Sequence, residues 1–235
     1  MLVEKEPSTW KELQNCVGQV FRDIGFEVLV DEKDFQLRGG DTVNLDVWAK
    51  DIELPTMPTI HICECKYWKE TVPKEKVHAF RTVVSDAGGS VGYIISQKGF
   101  QEGAEQAASQ TNINLITWDD FQQIFEEKWV KSMYSQVKDK IDSILNYINS
   151  RYLSNDFKGE GEKYLKSIRI LGRLLSLQST FIYDLIKESK YPLKIVEPDG
   201  TTQEFTNRKK YFTELLKIVE SIKQQFEGIV GRKID

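Results

Sequence analysis

The segment Ile60 to Tyr67, IHICECKY, constrains the chain more than any other. Its length and apolar content predict a buried strand, yet it carries Glu64 and Lys66. Strand side chains alternate between faces, so Ile60, Ile62, Glu64 and Lys66 share one face while His61, Cys63, Cys65 and Tyr67 share the other. A carboxylate and an ammonium thus stand side by side in an otherwise apolar strand.

The surrounding periodicity predicts a mixed α/β domain. Ser8 or Thr9 caps a helix in which Trp10, Leu13, Val17, Val20, Phe21 and Ile24 recur at helical spacing, ending at Gly25. Strands are predicted at Phe26 to Val30, Leu45 to Ala49 and Ile60 to Tyr67, with turns at Arg38 to Asp41 and Pro55 to Pro58. Then come a helix from Pro73 to Val84, a strand from Ser90 to Ser96, a helix from Gln101 to Gln110 and a strand from Ile113 to Thr117. A helix opening at Asp119 or Asp120 closes a first domain, residues 1–129.

Residues 130–235 read as an α-rich module with one β-hairpin. Helices are predicted from Val130 to Tyr152 and Lys163 to Lys187, separated by Ser154-Asn155-Asp156 and Gly159-Glu160-Gly161. Leu193 to Val196 and Gln203 to Thr206 flank the turn signal Pro198-Asp199-Gly200, and Asn207 caps a last helix to about Phe226.

Charge supports the division. Residues 1–130 carry 13 basic and 22 acidic side chains, whereas residues 131–235 carry 19 basic and 14 acidic ones. The front is therefore acidic and the back basic, although the whole chain sums to only -4. No run approaches the roughly 18 apolar residues of a membrane span, and MLVEKEPSTW lacks a signal peptide's basic-then-apolar layout. Cys16, Cys63 and Cys65 are odd in number, which suits reduced thiols, so a cytoplasmic protein without membrane attachment is expected. A zinc site at Cys63 and Cys65 would need further ligands, and the chain's histidines are His61 and His78; strand packing is the expected role of both thiols.

Asp46 lies 18 residues before Glu64, on the preceding predicted strand. Turned toward the same face, Asp46, Glu64 and Lys66 would converge, with the Cys65 carbonyl as a further oxygen. That inventory suits a hard divalent cation: Mg²⁺ needs only one or two carboxylates when waters and a phosphate complete its shell. Attack on a phosphodiester requires a hydroxide and neutralised oxygen charge, both of which such an ion promotes. Lys66 would either orient or help deprotonate the attacking water while offsetting transition-state charge, and the sequence leaves both roles open.

Asp46, Glu64 and Lys66, in the order D…E-x-K, resemble the active-site signature of the PD-(D/E)xK nuclease superfamily. Residues of about 9 to 125 resemble the catalytic domain of Mrr-like, type IV restriction endonucleases. WKELQNCVGQVFRDIGFEV matches the family's opening helix and Gly-hydrophobic run. RGGDTVNLD matches its Gly-rich turn before the aspartate, with Asn44 where glycine is common. YIISQKGFQEGAEQAASQTNINLITWDDF matches its closing segment, with Phe100, Ala104 and Ala108 in place.

The resemblance implies a restriction-endonuclease-like mixed sheet flanked by helices, Mg²⁺ or Mn²⁺ as cofactor and DNA as substrate. It implies Asp46, Glu64, Lys66 and Glu12 as catalytic residues, with Asp46, Glu64, Cys65 and Glu12 around the metal. For Glu12 a solvated helix charge is the competing reading. Lys98, after a strand end, is a candidate phosphate contact. Arg208, Lys209 and Lys210 either meet DNA phosphates or remain solvated helix charges. The stripe Ile168, Leu171, Leu175, Ile182, Leu185 and Ile186 either packs within the module or dimerises it, and cutting both strands favours a homodimer. A regulatory partner at the C-terminal module is a further expectation. The leading function is a DNA endonuclease in restriction or antiphage defence. The alternatives are a junction-resolving or repair nuclease and a catalytically silent nucleic-acid-binding or assembly protein.

Overall fold

The structure, a computed structural model, describes residues 2–152, 161–186, 191–196, 202–231 and 233. It divides into two compact units, Leu2–Ser132 and Met133–Asp235, with the division inside one helix.

In the first unit, α1 (Trp10–Asp23) starts at Thr9, whose side chain accepts from Glu12 N–H at 3.1 Å. Leu13, Val17, Val20 and Phe21 are buried, as their spacing predicts, whereas Trp10 remains 44% exposed. Gly25 then reverses the chain at φ +87, a conformation that favours glycine. The meander β1 (Glu27–Gln36), β2 (Thr42–Asp51) and β3 (Thr59–Lys66) is antiparallel. It continues through α2 (Lys74–Asp86), β4 (Val91–Ser96), α3 (Glu102–Ala108) and β5 (Ile113–Thr117) with parallel pairing. Sheet order is β1-β2-β3-β4-β5.

The sheet is covered on both faces. On one, Ile62 and Ile94 pack with Val77, Phe80 and Val84 of α2 and Ala104 of α3. On the other, Phe21 and Phe26 meet His61, Tyr93, Phe121 and Phe125 in a cluster of ring contacts. The alternation predicted for β3 therefore holds, Ile62 facing one layer and His61 the other. β1 and β2 each extend well beyond their predicted limits. Their additional residues are mostly polar, although Phe35 and Val43 pack partly buried against the core, and β1 is irregular between Glu32 and Phe35, with Asp31 and Asp34 at φ 54. Backbone pairing, together with the packing of Phe35 and Val43, holds that part of the hairpin.

The helix α4 (Trp118–Tyr152) runs unbroken, where two helices meeting near Val130 were predicted. No glycine or proline interrupts that stretch. Its C-terminal part belongs to the second unit, with α5 (Gly161–Ile186), the hairpin β6 (Leu193–Val196) and β7 (Thr202–Phe205), and α6 (Arg208–Val230). Val137, Ile141, Ile144 and Ile148 of α4 and Leu215, Val219, Ile222 and Phe226 of α6 are buried. Asn207 caps α6 by accepting from Lys210 N–H at 2.9 Å. On α5 Ile170 and Leu174 are buried, Leu171 is half-buried and Ile168 and Leu175 are exposed, while the side chains of Ile182, Leu185 and Ile186 lie outside the described residues. The Pro198-Asp199-Gly200 turn and the Ser154 and Gly159 separators lie outside the described residues. Among the described residues, no helix is long and apolar enough to cross a membrane.

Candidate active site

The rungs joining β2 to β3 run from Asp51–Thr59 to Val47–Cys63 and stop. Asp46 comes next, and its carboxylate stands where the following rung would be: Oδ2 accepts from Cys65 N–H at 2.7 Å. On the other side of β3, Lys66 C=O accepts from Gln97 N–H at 3.2 Å. A residue's N–H and C=O leave a strand on the same side, so the Cys65 carbonyl faces the Asp46 side, past the last rung. Lys66 Nζ pairs with Glu64 Oε1 and lies 4.8 Å from the Trp68 ring centroid, with Lys76 Nζ 5.9 Å from the same ring. Asp46, Glu64 and Lys66 thus meet where β3 ends, as their order in the sequence suggests.

The electrostatics distinguish this cluster from a surface ion pair. Burial pushes the Asp46 carboxyl above its ordinary range, against the opposing pull of Cys65 N–H, Gln14, Lys66 and Trp10. Glu64 is also raised, by burial first and by the Asp46 charge second, with Lys66 and Lys76 opposing. Two carboxylates whose ionised forms are disfavoured are a place where an added cation is stabilised.

Gln14 is the site residue that sequence reasoning missed. It is fully buried on α1, and its Nε2 donates to Asp46 Oδ1 at 2.6 Å. The available signal was a polar side chain within the buried stripe of Leu13, Val17 and Phe21. Glu12, the acidic residue of the same helix, does not join the cluster. Its Oε2 accepts from Ser8 N–H and from Ser8 Oγ, each at 2.7 Å, and these bonds hold the carboxyl below its ordinary value. Glu12, expected as a ligand, here caps its own helix.

Lys98 is exposed on the turn after β4, its N–H donating to Ser96 Oγ at 3.3 Å, beside the Gln97 that bonds Lys66. Arg208, Lys209 and Lys210 open α6 in the second unit, where the Arg208 guanidinium lies 5.9 Å from the Tyr191 ring centroid. Cys63 and Cys65 are buried and burial drives both thiols well above their ordinary range, which suits packing. His61 is buried among rings and His78 is exposed on α2.

No group of three or more His, Cys, Asp or Glu side chains able to hold a metal occurs among the described residues. Two carboxylates and a backbone carbonyl still fit a cation that retains several waters, as Mg²⁺ does. Gln14 Oε1 adds to that fit: it is buried and accepts no hydrogen bond among the described residues.

No curated protein matches the chain. Among solved structures, a protein of unknown function, AF1548, is 18% identical, with 47% of this chain and 58% of that one covered at a TM-score of 0.39. The MspJI restriction endonuclease, in complex with a 27-mer oligonucleotide, is 18% identical over 52% of this chain and 27% of its own, with a TM-score of 0.32. The DNA modification-dependent restriction endonuclease AspBHI is 12% identical over 54% and 39%, with a TM-score of 0.34. The chain thus spans less than two thirds of each. The Mrr_cat family, described as restriction endonuclease, matches residues 6–125, about half of the chain and all of the sheet and site described above. The chain belongs to this restriction endonuclease family.

Proposed function

We propose that the protein is a divalent-metal-dependent endonuclease that hydrolyses DNA phosphodiester bonds in restriction or antiphage defence. The observation that carries this reading is the convergence of Asp46, Glu64 and Lys66 at the end of β3, with both carboxylates raised by burial. Asp46, Glu64 and the Cys65 carbonyl would hold Mg²⁺ or Mn²⁺. When bound, such an ion neutralises phosphoryl charge and promotes ionisation of the attacking water.

The chain's own residues do the rest. Cys65 N–H and Gln14 Nε2 fix the Asp46 carboxylate from two sides. Lys66 pairs with Glu64, which would instead hold the cation, and the Trp68 ring keeps the ammonium near the strand end. There Lys66 Nζ can donate to a non-bridging phosphate oxygen or orient the water, and Lys98 on the adjoining turn can contact the backbone. Arg208, Lys209 and Lys210 add phosphate contacts from the second unit, which also dimerises the chain and takes a regulatory partner; a monomeric mass in light scattering would count against the dimer.

The test is cleavage of plasmid and phage DNA with Mg²⁺ or Mn²⁺. Lys66→Ala and Asp46→Ala are each expected to lose about 100-fold or more in rate. Cleavage by both variants at the wild-type rate would refute the assignment.

A further inference from the structure

We propose that the Asp46–Glu64 centre takes one divalent cation rather than two, and that Gln14 is its positioning residue, offering Oε1 as a neutral oxygen while Nε2 fixes Asp46. The inference rests on the metal-dependent reading above and specifies the stoichiometry of that site.

The amide of Gln14 is oriented by its partner. A glutamine carries two donor hydrogens on nitrogen and one acceptor oxygen. Nε2 donates to Asp46 Oδ1 at 2.6 Å, and the reversed amide would set oxygen against carboxylate oxygen. Oε1 is left as a buried acceptor with no hydrogen-bond partner among the described residues. Buried acceptors are nearly always satisfied. An electropositive partner from outside the chain is therefore the natural partner of Oε1, and the neighbouring carboxylate makes a cation the fitting one.

Charge limits how many ions fit. Both Asp46 oxygens already accept a hydrogen bond, Oδ1 from Gln14 and Oδ2 from Cys65 N–H. Glu64 supplies the second carboxylate, and among the described residues no third acidic side chain completes a metal-holding group. Glu12 is committed to Ser8. Two carboxylates balance one divalent ion. A second would enter a pocket whose other close charges, Lys66 and Lys76, are themselves cations around the Trp68 ring. Gln14, whose Nε2 reaches Asp46, is neutral and adds no charge to the centre.

The experiment titrates the full chain with Mn²⁺ alone at neutral pH, reading stoichiometry by calorimetry and ion–ion spin coupling by electron paramagnetic resonance, with melting temperature recorded with and without Mn²⁺. Wild type is expected to bind one Mn²⁺ per chain without spin coupling. Gln14→Met, which removes the acceptor and keeps the bulk, is expected to weaken Mn²⁺ binding about tenfold or more. Gln14→Glu, which adds a carboxylate at the same place, is expected to bind at least about tenfold tighter or to admit a second, coupled ion. A merely structural role would shift the metal-free melting temperature of Gln14→Met and leave its Mn²⁺ affinity at the wild-type value, which overturns the inference. Two coupled ions in wild type, or Gln14→Glu binding exactly as wild type does, also overturn it; the latter decides the matter if Gln14→Met fails to fold. Absence of any Mn²⁺ binding by wild type would instead bring down the metal-dependent reading itself.

Discussion

His61 shows how a residue rejected for chemistry still governs behaviour. Its imidazole packs against Phe26, Phe21 and Tyr93, with ring centroids 5.2, 5.6 and 6.0 Å away. Burial pushes its pKa down to about 4, with Asp51 pulling upward and Lys128 downward. The folded state thus favours neutral imidazole, while the unfolded chain protonates near 6.5. Stability from this group is full above pH 6.5 and is lost as pH falls through that value toward 4, a loss of about 3 kcal/mol. His61→Phe should flatten the melting temperature between those pH values relative to wild type; an unchanged slope would show that other groups control acid unfolding. Residue identity alone did not reveal Gln14. Glu12 drew notice because it is charged, yet its oxygens serve Ser8, and the uncharged Gln14 reaches Asp46 because it lies on the buried face of α1.

Among the elements, α1 carries the tightest constraint. A Cβ built at Gly18 would stand 2.3 Å from Val30 Cγ2, so the helix lies against β1 at a distance only glycine allows. Gly18 is one turn beyond Gln14, so anything that displaces the helix here displaces the Asp46 contact too. Gly18→Ala gains up to about 1 kcal/mol of helix propensity, against an overpacking cost of about 1 to 3 kcal/mol. We expect a lower melting temperature together with slower DNA cleavage; a rise in melting temperature would show that the approach can relax. The parallel strands were legible because β4 and β5 are short apolar runs, and β3 because its apolar residues bracket the charged pair. The full length of the β1–β2 hairpin was not, since its outer half is mostly polar and its register shifts between Glu32 and Phe35, so no clean alternation marks it. The continuity of α4 was hidden for another reason: its buried residues extend from Phe121 to Ile148 across the point where one unit gives way to the next, and the helical period does not mark that change.

At the scale of the molecule, charge is divided between the two halves, with 22 acidic residues against 13 basic before residue 131 and 19 basic against 14 acidic from there on. Under the proposed function, an acidic half bearing the Asp46–Glu64 cluster would gain from a basic half that offsets repulsion of DNA, and each phosphate neutralised would steepen the salt dependence of binding. Lys209→Gln combined with Lys210→Gln should reduce the slope of log affinity against log salt by roughly 2 while leaving Mn²⁺ binding intact. An unchanged slope would move the DNA-holding surface elsewhere. The Asp46 carboxylate also has a bearing on how the enzyme can be switched off. Because it completes the hydrogen bonding of Cys65 where the β2–β3 ladder ends, a chain that loses this side chain gives up structure together with chemistry. In the proposed mechanism, loss at Lys66 would remove chemistry while the Asp46–Cys65 bond persists. The first kind of null allele is exposed to proteolytic clearance, whereas the second leaves an inert protein that can persist and compete with active copies for the same DNA.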